Sequence, residues 1–284
     1  MKKPNPIISP LDLISILNKR NLRVIDARVG KDIKTIFNEK HLVGAQHVDL
    51  DRDMAHIKPN AADGGRHPLP DVQAFATLLG HLRIDAASHI IIYDAQNGSN
   101  AAARLWWMLK AIGHEKVQVL DGGWQAALAA HMPTSNTPKK FKKKQAYPVH
   151  DWQLPLTNMS EVEQVAQNAD YAVIDVRSEE RNQGKREPID LIAGHIPGAI
   201  NMPFTNNLTP EGFFKSIAEL QALYAPIFLS KKTENIIVHC GSGVTACHTL
   251  LAMAHAGYDV PKLYVGSWSE WSRNDKEMIT LNNG

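Results

Sequence analysis

Ile236-Ile237-Val238-His239-Cys240-Gly241-Ser242-Gly243-Val244-Thr245-Ala246 is the stretch on which the reading of this chain turns. The apolar run 236–238 suits a strand covered on both faces. Gly241 and Gly243 let the backbone turn tightly and bring its N–H groups inward. From Val244 onward, Ala246, Leu250, Leu251 and Ala254 recur at helical spacing. Cys240 then ends a buried strand and faces a small-residue loop and a helix N-terminus, both of which stabilise an anion. A free cysteine has a pKa of about 8.5, and such a cradle lowers it and makes a nucleophile. A buried core thiol and a phosphate cradle without a nucleophile fit the same residues.

Working outward, the order of elements recurs. The run 22–26 (Leu-Arg-Val-Ile-Asp) reads as a strand, His41-Leu42-Val43-Gly44-Ala45 as a turn, 90–94 as a buried strand ending on Asp94, and Gly122-Gly123-Trp124 as the entry to a helix. The same landmarks return at Asp175, His195, Cys240 and Trp268, offset from Asp26, His41, Asp94 and Trp124 by 149, 154, 146 and 144 residues. Near-constant offsets over four landmarks indicate a duplicated domain. Strands alternating with helices indicate a mainly parallel sheet with helices on both faces. The expected division is a first domain at 1–135, a linker at 136–158 and a second domain at 159–284. The linker is rich in proline and carries the lysines of 139–144, read as solvated charge. A helix is expected at 10 with Ser9 as its cap, another across 70–82, and another near Ser160, with Ser160 and Glu163 as a capping box.

Composition narrows the function classes. The chain has 284 residues, 44% hydrophobic and 21% charged, which suits two globular domains. With 31 basic and 29 acidic residues, the formal charge of +2 gives no argument for nucleic acid or a membrane surface. No run reaches the ~18 apolar residues of a membrane span, and 1–6 does not make a signal peptide. A cytoplasmic location is the expectation. Cys240 and Cys247 are too far apart on a helical path to bridge. No metal spacing of His or Cys is present, and no cofactor is called for.

The loop 240–246 resembles the active-site loop of the rhodanese superfamily, in the Cys-Gly-Ser-Gly-Val-Thr-Ala form of its 3-mercaptopyruvate sulfurtransferases. Thiosulfate-using relatives usually carry Arg-Lys after the cysteine, where this chain has Gly241-Ser242. Cysteine phosphatases need an arginine six residues after the cysteine, and here that residue is Ala246. The resemblance covers nearly the whole chain: paired Asp-x-Arg motifs (Asp26-Ala27-Arg28 and Asp175-Val176-Arg177), His-x-x-Gly-Ala turns, closing Gly-x-Trp turns, and His67-Pro68-Leu69-Pro70 in the first domain. It implies two tandem rhodanese-like domains, the first non-catalytic with Asp94 at the cysteine position, and a site at the domain interface.

What the resemblance implies chemically is a sulfurtransferase. Cys240 would take sulfur from 3-mercaptopyruvate, release pyruvate and pass the persulfide sulfur to a thiol, a reduced thioredoxin or cyanide. The N–H groups of Gly241, Ser242, Gly243, Val244 and Thr245 would hold the persulfide anion. Arg181 matches the first of two family arginines for the substrate carboxylate. The second follows Glu-Pro, and here Glu187-Pro188 is followed by Ile189, leaving Arg186 as a substitute. The resemblance also implies a relay from Ser242 to a histidine and an aspartate of the first domain, matched here to His41 and Asp32. The equivalence of His41 and His195 argues instead for a shared turn-stabilising role. Alternatives are a thiosulfate sulfurtransferase and a non-catalytic binding or redox-sensing module.

Overall fold

A computed structural model describes residues 5–138 and 145–281; the lysine run 139–144 lies outside the described residues. The chain divides into two compact units, Met1–Ala55 with Pro70–Gln153, and His56–Leu69 with Leu154–Gly284. The stretch 56–69 therefore groups with the second unit, although sequence order places it in the first.

Each unit is built on one five-stranded parallel sheet flanked by helices, the first with a two-stranded antiparallel ribbon of His41–Leu42 and Thr134–Ser135 as well, and the two five-stranded sheets share a topology. In spatial order the first runs Ile7–Ile8, Val117–Leu120, His89–Tyr93, Leu22–Asp26 and Gln46–His47. The second runs Leu156–Thr157, Lys262–Tyr264, Ile236–His239, Ala172–Asp175 and Ile200–Asn201. The central strands explain the two most apolar runs of the sequence. Ile90, Ile91 and Ile92, like Ile236, Ile237 and Val238, are fully buried, each worth about 1.5–3 kcal/mol relative to exposure.

The recurring motifs do the same work in both units. Arg28 clasps Asp26 and lies over the Trp124 ring at 4.2 Å; Arg177 clasps Asp175 and lies over Trp268 at 4.6 Å. Each arginine also donates to a carbonyl just before the His-x-x-Gly-Ala turn, Lys40 O in one unit and Gly194 O in the other. A buried carboxylate and guanidinium are stable only when fully partnered, and the Asp-x-Arg and Gly-x-Trp motifs supply that partnering.

Local signals hold with small shifts. Ser9 caps the helix Pro10–Ile16, as expected. The helix expected across 70–82 is Val72–His81, capped by Asp71. The helix near Ser160 is Met159–Val165, but its cap is Asn158, whose side chain accepts from the Glu161 amide; Ser160 lies inside the helix. A further helix, Ile217–Ser230, starts on a Ser216–Glu219 capping box and contains Pro226. No helix among the described residues is long and apolar enough to cross a membrane.

Candidate active site in the second unit

The strand Ile236–His239 delivers Cys240, 1% exposed, to the start of a loop that ends at the helix Thr245–His255. The loop is tied from outside. The Cys240 amide donates to Ser267 Oγ, and the Cys240 and Gly241 carbonyls accept from the Trp268 and Ser269 amides. Gly243, at φ 70°, is required: a Cβ there would sit 2.6 Å from the Val265 carbonyl oxygen. The amides of Gly241, Ser242 and Val244 make no hydrogen bond among the described residues. They are open donors in the loop that directly follows the cysteine.

The corresponding loop of the first unit is filled. The buried Asp94 carboxylate accepts from the amides of Gln96, Gly98, Asn100 and Ala102 at 2.8–3.2 Å. Burial pushes the Asp94 carboxyl upward in pKa, and those four N–H bonds oppose it. Asp94 is two residues further from its helix, which starts at Ala101, than Cys240 is from Thr245. The longer loop wraps a carboxylate; the shorter one leaves its donors open.

Charged and polar groups from distant parts of the sequence converge on the Cys240 loop. His67 Nδ1 lies 2.8 Å from Ser242 Oγ. Asp190, with no exposed side-chain surface, accepts from Arg66, Arg181 and Arg273. Arg181 also forms a fork on Glu187, which in turn meets Arg177. A Cβ on Gly241 would be 3.0 Å from Arg66 Nη2 and 3.3 Å from Arg181 Nη2, so both guanidiniums edge the residue after the cysteine. The linked ion pairs join four guanidiniums (Arg66, Arg177, Arg181, Arg273) to three carboxylates (Asp175, Glu187, Asp190). One positive charge is left over, and it favours an anion.

The arm 56–69 that carries Arg66 and His67 is held by backbone bonds. The Gly64 amide donates to Glu270 Oε1 and the Arg66 amide to Ser269 Oγ, while Asn274 Nδ2 donates to the Ala62 carbonyl. Gly65, at φ 82°, passes so close that a Cβ would lie 2.4 Å from the Gly266 carbonyl oxygen.

The other sequence candidates have different surroundings. His41 is buried, stacks on Phe37 at 4.1 Å and bonds the Phe37 carbonyl through Nδ1. His195 bonds the Asn182 carbonyl in the same way. Asp32 is exposed and heads the helix Ile33–Glu39 in the left-handed region. Arg186 is exposed, and it is not one of the three guanidiniums on Asp190. Ile189 is 53% exposed. Arg66, Asp190 and Arg273 were not singled out from sequence. His67 carried a signal in the His67-Pro68-Leu69-Pro70 motif, without a role attached. Cys240 and Cys247 are both free thiols; the Cys247 thiol donates to the Gly243 carbonyl, in the loop just before its own helix. Among the described residues, no group of three or more His, Cys, Asp or Glu side chains could hold a metal ion.

Comparison with known proteins places this geometry in a family. The rhodanese-like domain model matches residues 9–130 and again 158–274. The 3-mercaptopyruvate sulfurtransferase of Rattus norvegicus is 38% identical over 264 residues, covering 88% of this chain and 84% of that protein. The thiosulfate sulfurtransferase of Gallus gallus is 35% identical over 260 residues, covering 88% and 86%. Among solved structures, one from Escherichia coli, described for the rhodanese fold and the catalytic mechanism of 3-mercaptopyruvate sulfotransferases, superposes with a TM-score of 0.77 at 29% identity. It covers 94% of this chain and 100% of that one. Two matches to one domain model, on two sheets of identical topology, show that the chain belongs to the rhodanese family as a tandem-domain member.

Proposed function

We propose that the protein is a sulfurtransferase that takes sulfur from 3-mercaptopyruvate. The observation that carries this reading is the neutral loop Cys240-Gly241-Ser242, with open amides, a Ser242 hydroxyl held by His67 and guanidinium groups at its edge. Two relatives of nearly equal identity bear different donor names, so overall similarity does not choose the donor, and the chemistry of the loop must.

In this reading the Cys240 thiolate attacks the substrate sulfur. The carbon–sulfur bond breaks, and its electron pair goes to carbon as the enolate of pyruvate. The enolate takes up the proton released from the substrate thiol, and Cys240 is left as a persulfide anion. The amides of the loop stabilise that anion without adding a net charge. The Ser242 hydroxyl donates to the oxygen on which enolate charge develops, and His67 orients it. Arg181 binds the substrate carboxylate. A thiol, a reduced thioredoxin or cyanide then removes the outer sulfur and restores the thiolate, a ping-pong course with a covalent intermediate. Thiosulfate is a dianion and favours a cationic loop. The single surplus charge here suits a monoanion better.

The test is a side-by-side steady-state assay with 3-mercaptopyruvate and thiosulfate, cyanide as acceptor, and intact mass of donor-treated protein. A kcat/KM at least about tenfold higher for 3-mercaptopyruvate is expected, with one added sulfur that Cys240→Ser abolishes. Preference for thiosulfate would overturn the donor assignment. No added sulfur from either donor would leave a binding or sensing module.

A further inference from the structure

The closing turns of the two units differ at their middle residue: Gly122-Gly123-Trp124 in the first is matched by Gly266-Ser267-Trp268 in the second. Gly123 has φ 58°, and Ser267 takes the same left-handed conformation at φ 54°. Glycine adopts that conformation freely, whereas any side chain there is strained. Among the described residues of the second unit, Ser267 is the only non-glycine residue with a positive φ. Such strain persists only where the surroundings hold it, and it gathers at active sites. In the first unit a Cβ at this position would lie 2.6 Å from the Asp94 carbonyl oxygen; the second unit admits one opposite Cys240. What it gains is a buried hydroxyl. Ser267 Oγ donates to the Tyr264 carbonyl at 2.8 Å and accepts from the Cys240 amide at 3.1 Å. The next residue holds the other flank of the cysteine. The Trp268 amide donates to the Cys240 carbonyl at 3.0 Å, as the Trp124 amide does to the Asp94 carbonyl at 2.8 Å. Both backbone polar groups of Cys240 are thus gripped by consecutive residues, whereas Gly123 has no side chain with which to grip Asp94.

We propose that Ser267 is a positioning residue for Cys240: its hydroxyl fixes the Cys240 amide, and with the Trp268 amide it sets the direction in which the cysteine presents its thiol to the loop that follows. Holding both peptide planes that flank a residue fixes its Cα–Cβ bond, and a displacement of about 1 Å at a reacting atom is enough to slow a reaction about 10²-fold. The left-handed strain comes from placing a hydroxyl where the closing turn of the first unit has glycine. The proposal rests on the function proposed above only for Cys240 as the nucleophile; the identity of the donor does not enter it.

Two variants separate strain from hydroxyl. Ser267→Gly restores the first unit's residue, relieving the strain and removing the hydroxyl; Ser267→Ala removes the hydroxyl and keeps the strain. Urea unfolding should therefore tell them apart, with Ser267→Gly unfolding at the higher urea concentration. Chemistry should not. Both should lose about tenfold in kcat for 3-mercaptopyruvate, with KM within a few-fold. Both should also lose several-fold in the rate at which iodoacetamide alkylates Cys240, followed by peptide mass. Alkylation needs no sulfur donor, so it reads the clamp without turnover. Activity that follows stability, at the wild-type level in Ser267→Gly and low in Ser267→Ala, would mean that the serine serves only the fold and would overturn the proposal. An alkylation rate in Ser267→Gly equal to or above that of the wild type would overturn it too, and this comparison stands even if Ser267→Ala does not fold. A wild type that uses neither 3-mercaptopyruvate nor thiosulfate, with alkylation slowed in Ser267→Gly, would keep the clamp and sink only the sulfurtransferase reading.

Discussion

The Ser242 hydroxyl and the His67 imidazole are 175 residues apart in sequence and 2.8 Å apart in space. Neither residue type is informative alone: a serine in a loop and a histidine before a proline are ordinary. Their pairing makes the serine a directed donor. If Ser242 serves the developing enolate, replacing His67 by Asn should lower kcat for 3-mercaptopyruvate by about 10²-fold. Turnover of thiosulfate, which forms no enolate, should change only a few-fold. Equal losses with the two donors would mean that His67 merely shapes the loop. His41 illustrates the opposite case. It stands in the first domain of the sequence, where the family resemblance leads one to look, but its ring nitrogen is committed to the Phe37 carbonyl and its ring face to Phe37.

At the level of elements, the two strand–loop–helix units show one scaffold used in two ways. Asp94 satisfies four amides that would otherwise be buried and bare. Each unsatisfied buried group costs about 1–3 kcal/mol, so Asp94→Ala should destabilise the first unit by about 3 kcal/mol or more, read from the urea midpoint. Cys240→Ala removes a thiol from a loop whose amides are already open and should cost far less. A destabilisation of the same size in both would contradict the assignment of Asp94 as the plug of its loop. The arm 56–69 is a second case of an element with a local logic. The approach of Gly65 to the Gly266 carbonyl leaves no room for a Cβ, which is why a glycine is needed there.

Across the molecule, the duplication builds two sheets of equal topology, and the second unit also buries titratable groups its chemistry does not use. Burial pushes His248 down to about 3, and His239 is likewise lowered by burial against the pull of Asp175. A histidine whose folded pKa is depressed stays neutral in the fold and takes up a proton first in the unfolded chain. The stability it protects is complete above about pH 6.5 and is lost as pH falls. Between pH 7 and 5, His248 alone should cost about 2 kcal/mol of unfolding free energy. His248→Gln should flatten that part of the dependence, measured as the difference between urea midpoints at the two pH values. A pH dependence identical in the two proteins would show that His248 is not the group responsible.

The sequence by itself determined the duplicated parallel α/β plan, the strands that end at Asp26 and Asp175, those that end one residue before Asp94 and Cys240, and the loop and helix that follow Cys240. These features depend on local patterning: runs of buried aliphatics, glycines in tight turns, and motifs repeated at near-constant offset. Two helices carry competing local signals. Pro226 masked the helix Ile217–Ser230 despite its Ser216–Glu219 capping box, and Asn158 outcompeted Ser160 as a cap. Only the tertiary structure decided which charged residues surround the loop. Arg66 and His67 reach it because the stretch 56–69 joins the second unit, and Asp190 gathers three arginines from three separate segments. A convergence of long, flexible side chains on one buried carboxylate leaves no period or spacing in the chain, since it depends on where backbones meet and not on what adjoins what in sequence.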